Sequence, residues 1–334
     1  MRRLTTAGAL VFGCAAALSV PAATGQAPVS GSGEGPIRSF HVQGTVWMLV
    51  GPESNAAVSI GDDGVLVVDT MTEPLAGALL AEIRRLAGSK PIRNIVNTHF
   101  HPDHTGGNAA ITEAGESIVA GNFAAQVGQD ASGQATVYAH ENVLVRMGKL
   151  EPPPPFVALP TNTFFTESKD FFFNGEPVQL LHQTAGHTDG DVIVFFRRSD
   201  VIVAGDVYNS VTFPVVRTGE GGGLRGVVDA LNRIIEITVP KEKQEGGTYV
   251  IPGHGRLADE ADVVEYRDMN TIVRDRLQDA IDKGMTLAQV RAARLVRDYE
   301  GRYGAASGAW TTDQFVAAAY ESLSTPAARA GQNR

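Results

Sequence analysis

The stretch "NTHFHPDHTGGN", Asn97 to Asn108, limits this chain more than any other. His99, His101, Asp103 and His104 fall within six residues. Imidazoles so crowded suit neither an ordinary core nor a solvated face. The short apolar run "IRNIV" precedes them and reads as a strand, and "GGNAAITEAG" opens a helix after them. His99 and His101 are spaced i, i+2, so on an extended strand end they point the same way. Pro102 stiffens the turn that follows, and Asp103 and His104 then address a second position nearby.

Three further segments repeat this setting. His187 follows "VQLLHQT" in "AGHTDGD", Asp206 closes "DVIVAGD", and His254 follows "TYVI" in "PGHG". Each stands where a strand-like run meets glycine-rich sequence. Strand ends gathered at one edge of a sheet are a natural place to build a site from distant segments. Imidazole and carboxylate together suit zinc and other borderline divalent cations, iron and manganese included. Three nitrogens around one metal leave a position open for water, the catalytic rather than the structural arrangement.

Cysteine chemistry is excluded. The chain of 334 residues has one cysteine, Cys14. It lies within "MRRLTTAGALVFGCAAALSVPAATGQAPVS", where Arg2 and Arg3 precede an apolar stretch and then small residues. That is the pattern of a secretory signal. Residues 1–27 are therefore expected to be a signal peptide, removed on export to the periplasm or medium. The mature chain would hold no thiolate to ligate a metal or attack a substrate. With a formal charge of −9 the protein is a poor nucleic-acid binder. A small-molecule substrate is the expected partner, with no stable membrane partner after cleavage.

Residues 28–37 read as a linker. Strand patterns then dominate: "FHVQGTVWMLV", "AAVSI" and "GVLVVDT", followed by a helix over "PLAGALLAEIRRLA". Residues 150–176 read as irregular, with "PPPP" at 152–155 forming an extended surface arm. "LRGVVDALNRIIEI" is amphipathic. A helical extension is expected over 259–325, with Gly284 and Thr286 as stop and start signals, and a disordered tail over 326–334. The extension can pack on the core, cap a cleft or form a homodimer contact.

"THFHPDHTGGN", "AGHTDGD", "AGDVY" and "IPGHG", in that order, resemble the metallo-β-lactamase superfamily. The resemblance spans about Phe40 to Gly255. It implies an α/β fold, a four-layer αββα sandwich over 38–258, with the metals at one sheet edge. It assigns His99, His101 and His187 to one metal, Asp103, His104 and His254 to a second, and Asp206 to the bridge between them. Asp69, after "GVLVV", matches a position that supports a ligand from behind. Where flavodiiron relatives carry a glutamate, this chain has His101. Where dedicated β-lactamases carry cysteine or serine, it has Asp206, as in glyoxalase II-type thioesterases and lactonases.

The implied activity is that of a binuclear zinc hydrolase with two Zn2+ per chain. A hydroxide between the metals attacks the carbonyl of a small ester, lactone, thioester or β-lactam. Asp103 orients the nucleophile and Asp206 sets the metal spacing. Tyr208, Asn209 and Arg217, on the loops after Asp206, are the candidate substrate contacts. His140 is a weaker candidate, and His182 reads as a packed residue. The alternative on the same fold is a mononuclear iron persulfide dioxygenase, held by two histidines and one aspartate.

Overall fold

The runs "GVLVV" and "DVIVFF" lack polar alternation because both of their faces are covered. The computed structural model describes residues 36–117 and 133–325. The signal segment, most of the linker and the tail lie outside the described residues.

The first sheet has seven strands in sequential order. These are β1 (Arg38–Gln43), β2 (Val46–Val50), β3 (Asn55–Gly61), β4 (Gly64–Val68), β5 (Ile92–Val96), β6 (Thr136–His140) and β7 (Asn162–Phe164). The second sheet runs β13-β12-β11-β10-β9-β8. Its strands are β8 (Ser168–Phe173), β9 (Glu176–Gln183), β10 (Asp191–Phe196), β11 (Val201–Asn209), β12 (Tyr249–His254) and β13 (Ala258–Asp259). Alternation within each buried run sends side chains to two different cores. Leu66 and Val68 meet Val192, Val194 and Val203 between the sheets. Val65 and Val67 instead meet Leu79 and Ile83 of α1 (Ala76–Ala87). Ile193 and Ile202 meet Leu231 and Ile234 of α5 (Leu224–Ile237). Helices thus cover the outer face of each sheet, giving the αββα sandwich. Each large side chain so buried contributes about 1.5–3 kcal/mol.

The segment 150–176 is less irregular than expected, since it contains β7 and β8. Both are edge strands. Asn174 and Gly175 have φ of 52° and 79° and join β8 to β9 in a hairpin that pairs Phe173 with Glu176. Asn-Gly is a strong signal for such a turn. The half-exposed alternation of β8 hides it among phenylalanines, of which Phe172 is open to solvent.

The C-terminal region is helical, with α6 (Glu260–Asp282), α7 (Leu287–Ala293), α8 (Arg297–Tyr303) and α9 (Thr312–Ser324). Asp259, Thr286 and Thr311 start α6, α7 and α9 as capping boxes. Val263, Val273, Leu277, Phe315 and Leu323 bury their side chains in the core beneath α5, so these helices thicken the outer layer of the second sheet. Among the described residues no helix is long and apolar enough to cross a membrane.

Candidate metal centre

The fold brings seven distant ligand candidates to one edge. β4 and β5 run parallel, as do β11 and β12, so their C-terminal ends share a side. β5 leads to His99 and His101, and the short helix α2 (Pro102–Thr105) carries Asp103 and His104. The turn between β9 and β10 carries His187, β11 carries Asp206, and β12 ends at His254.

Their ligand atoms form three overlapping groups: His99, His101 and His187; His99, His104 and Asp206; Asp103, His104 and His254. Asp206 lies between the first and the last. Its Oδ2 is 3.5 Å from His187 Nε2 and 3.9 Å from His99 Nε2. Its Oδ1 is 3.3 Å from His104 Nε2 and 3.2 Å from His254 Nε2. Asp103 Oδ2 is 3.4 Å from both His104 Nε2 and His254 Nε2. Gly253 makes this approach to Asp206 feasible, because a Cβ there would fall 2.0 Å from Asp206 Oδ1.

Burial makes the cluster suited to hold cations. His99, His104 and His187 are almost fully buried. His99 Nε2, His104 Nε2 and Asp206 Oδ1 are buried without a hydrogen-bond partner. Orphaned buried polar atoms cost free energy unless something satisfies them. A nitrogen, oxygen-rich donor set facing a common interior fits divalent metal ions.

Without metal the site's charges are unequal. Burial, helped by neighbouring His104, holds His99 well below its ordinary pKa. Burial brings His187 down to about 4. Burial opposes charge on His104 too, yet the carboxylates of Asp206 and Asp69 hold it well above the usual range. Burial would likewise raise Asp206, but His254 and His104 hold it well below. His99 and His187 are therefore neutral imidazoles with free lone pairs, the form that ligates metals.

Four of the candidate ligand imidazoles are gripped from behind. His99 Nδ1 lies 3.1 Å from Thr98 Oγ1. His104 Nδ1 lies 2.8 Å from Asp69 Oδ2. His187 Nδ1 lies 2.5 Å from the carbonyl of Val215, and His254 Nδ1 lies 2.6 Å from that of Glu53. Asp69 also accepts from Thr98, through the backbone N–H at 2.8 Å and the hydroxyl at 2.7 Å. These outer contacts fix tautomer and ring orientation.

Two of the three candidate substrate contacts are buried. Tyr208 is 2% exposed, and its ring packs edge-on against Tyr266 in the helical core. β11 runs on through Asn209, so Tyr208 is a strand residue and not part of a loop after Asp206. Asn209 is buried and spends its carboxamide oxygen on the N–H groups of Val211 and Thr212, shaping its own turn. Arg217 is exposed near the first ligand group. Its N–H donates to the His187 carbonyl, and its guanidinium lies over Trp310. The proline arm lines a cavity of about 580 Å³ with Pro102, Thr105, Met147 and Leu150, on the side of α2 that carries no ligand.

Glu220 escapes a reading of the sequence. It sits in the glycine-rich stretch "RTGEGGGLRG", whose arginines draw notice instead, yet its Oε2 is 2.8 Å from His101 Nε2. No local spacing links two residues so far apart in the chain.

Residues 50–254 match the profile of the Metallo-beta-lactamase superfamily. The chain belongs to that superfamily. It is 26% identical over 268 residues to the linear primary-alkylsulfatase of Pseudomonas sp., a match covering 67% of this chain and 46% of that protein. The stereoselective inverting sec-alkylsulfatase Pisa1 from Pseudomonas sp. superposes with a TM-score of 0.62 at 17% identity, over 85% of this chain and 49% of its own. The DIM-1 metallo-beta-lactamase superposes with a TM-score of 0.52 at 19% identity, over 71% of this chain and 98% of its own. The chain thus spans about half the length of the alkylsulfatases it matches.

Proposed function

We propose that the protein is an exported binuclear zinc hydrolase that cleaves a small ester, lactone, thioester or β-lactam. The observation that carries this reading is Asp206, which turns one carboxylate oxygen to each of two imidazole groups. Two divalent ions bound there would supply Lewis acidity and ionise water near neutral pH. Asp69, Asp103, Asp206 and Glu220 would offset their charge. Asp206 holds the spacing of the two groups. Asp103, whose side chain is 30% exposed against 8% for Asp206, is the carboxylate placed to orient the attacking water and receive its proton. Export rests on the N-terminal pattern of charged, apolar and small residues.

A sulfate ester is the second substrate reading, favoured by the similarity to the linear primary-alkylsulfatase. Elemental analysis of the purified protein, joined to a substrate panel, decides among these. The panel holds a lactone, an aryl ester, a thioester, a chromogenic β-lactam and an alkyl sulfate, each offered to wild type and to His101→Ala. Two zinc ions per chain and one bond cleaved only by wild type would establish the hydrolase and name its substrate class. One iron per chain, oxygen uptake and no hydrolysis would replace it with a dioxygenase.

A further inference from the structure

We propose that Glu220 is a positioning residue that inverts His101 and thereby completes the first metal site. Among the ligand imidazoles, His99, His104, His187 and His254 each turn Nδ1 to an outer partner and leave Nε2 for the interior. His101 does the reverse. Its Nε2 meets Glu220 Oε2 at 2.8 Å, while its Nδ1 faces inward, 2.9 Å from His187 Nε2. A carboxylate accepts and cannot donate, so it holds the proton on Nε2 and leaves the Nδ1 lone pair for a cation. Without that contact nothing in the geometry selects the tautomer the site needs.

The loop that carries Glu220 is built to hold it there. The backbone N–H of Asp189 donates to the Glu220 carbonyl at 3.0 Å, and Arg146 clamps the Asp189 carboxylate at 2.6 and 2.7 Å. The N–H of Arg217 donates to the His187 carbonyl, and that of Gly223 to the Gly186 carbonyl. Gly222 lies so close that a Cβ would fall 2.1 Å from the His187 carbonyl oxygen. One glycine-rich loop therefore sets the orientation of His101 and rests on the backbone of His187, the two ligands of the first group that leave β5 and β9 separately. Glu220 does for this group what Asp69 does for His104.

The proposal rests on the metal-centre reading of the site, and its test separates the two. Zinc is titrated into metal-free wild type, Glu220→Ala and Glu220→Gln, each labelled with 15N in the histidine rings. Resonances of His187 report the first site and those of His254 the second. In metal-free wild type His101 is expected to keep a proton on Nε2, facing Glu220. Glu220→Ala is expected to lose that tautomer preference and to bind zinc at the first site on the order of 10–100-fold more weakly. The second site should keep its affinity. Glu220→Gln, whose amide oxygen still accepts from Nε2–H, should lose less. Wild-type affinity at both sites in Glu220→Ala, with an unchanged His101 tautomer, would overturn the proposal. So would parallel weakening of both sites in both variants, the mark of a general structural role. If wild type itself takes up no zinc, the metal-centre reading falls, and this inference with it.

Discussion

Asp69 Oδ2 lies 2.8 Å from Nδ1 of His104, at the point where β4 gives way to loop. The same carboxylate accepts two hydrogen bonds from Thr98, so one buried residue ties the ends of β4 and β5 together and aims a ligand. Its backbone is held at a φ of 61°, a conformation aspartate tolerates better than most residues. Asp69→Ala would leave the Thr98 N–H, the Thr98 hydroxyl and His104 Nδ1 unpaired in the interior. Each buried group stranded in this way costs about 1–3 kcal/mol. We expect a lower urea midpoint and second-site metal affinity reduced by on the order of 10–100-fold. A variant with wild-type stability and metal content would show that Asp69 supports nothing.

The candidate ligands His99, His101, Asp103 and His104 were legible because their placement is local. The i, i+2 spacing, the proline turn and the strand-end delivery all lie within a dozen residues of His99. Asp69 could be placed only through the family resemblance, and its contact with Thr98 joins neighbouring parallel strands. Glu220 was illegible because it meets His101 across the cleft, through a loop whose conformation depends on Asp189 and Arg146. Tyr208 was read as part of a loop after Asp206, but β11 runs on through Asn209 and turns the phenol against Tyr266. The two sheets followed from continuous apolar runs, whereas the edge strands β7 and β8, buried on one side at most, gave weaker patterns.

Glycines of the loop carrying Glu220 differ sharply in what they tolerate. A Cβ on Gly222 would collide with the His187 backbone at 2.1 Å, while one on Gly219 meets nothing within 4 Å. Gly222→Ala must push the loop off His187, and overpacking of this kind costs about 1–3 kcal/mol. Gly219→Ala should leave stability and metal content unchanged. Thermal melts with zinc counts on both variants provide the check, and equal behaviour of the two would contradict the described loop packing.

His140 supplies a pH dependence separate from the metal ligands. It is buried, stacks on His182 with ring centroids 3.6 Å apart, and accepts from the Asn142 N–H through Nδ1. Burial, helped by the His182 ring, brings its pKa from 6.5 to about 4. Between those values the unfolded chain binds the extra proton, so stability is fully present above 6.5 and is lost as the pH falls toward 4. The slope from this one group is at most about 1.4 kcal/mol per pH unit. Asp191 works against it: burial raises its carboxyl to about 7, and its contribution falls as pH rises from 3.8 to 7. His140→Asn keeps an acceptor at the N-cap of α4 (Glu141–Met147) and removes the titration. The stability gap between wild type and this variant should narrow from pH 6.5 to 4.5 in urea denaturation. A constant gap would mean that His140 does not stay neutral there.

Phe315 of α9 stacks face to face on Phe213, with ring centroids 4.5 Å apart, and both are fully buried. Phe213 lies two residues before Val215, whose carbonyl holds His187 Nδ1. The last helix is therefore packed directly against the loop that orients a ligand. Phe315→Ala removes a large aromatic ring from a closed core, a change that costs about 3–5 kcal/mol. Because the loss falls beneath the Phe213–Val215 loop, zinc at the first site should weaken more than zinc at the second. Phe315→Leu, which refills most of the space, should restore much of both properties. Urea midpoints and zinc titrations of the two variants test this coupling. Full stability in Phe315→Ala would show that the helical extension is an appendage, and a destabilised variant with normal first-site affinity would confine its role to the core.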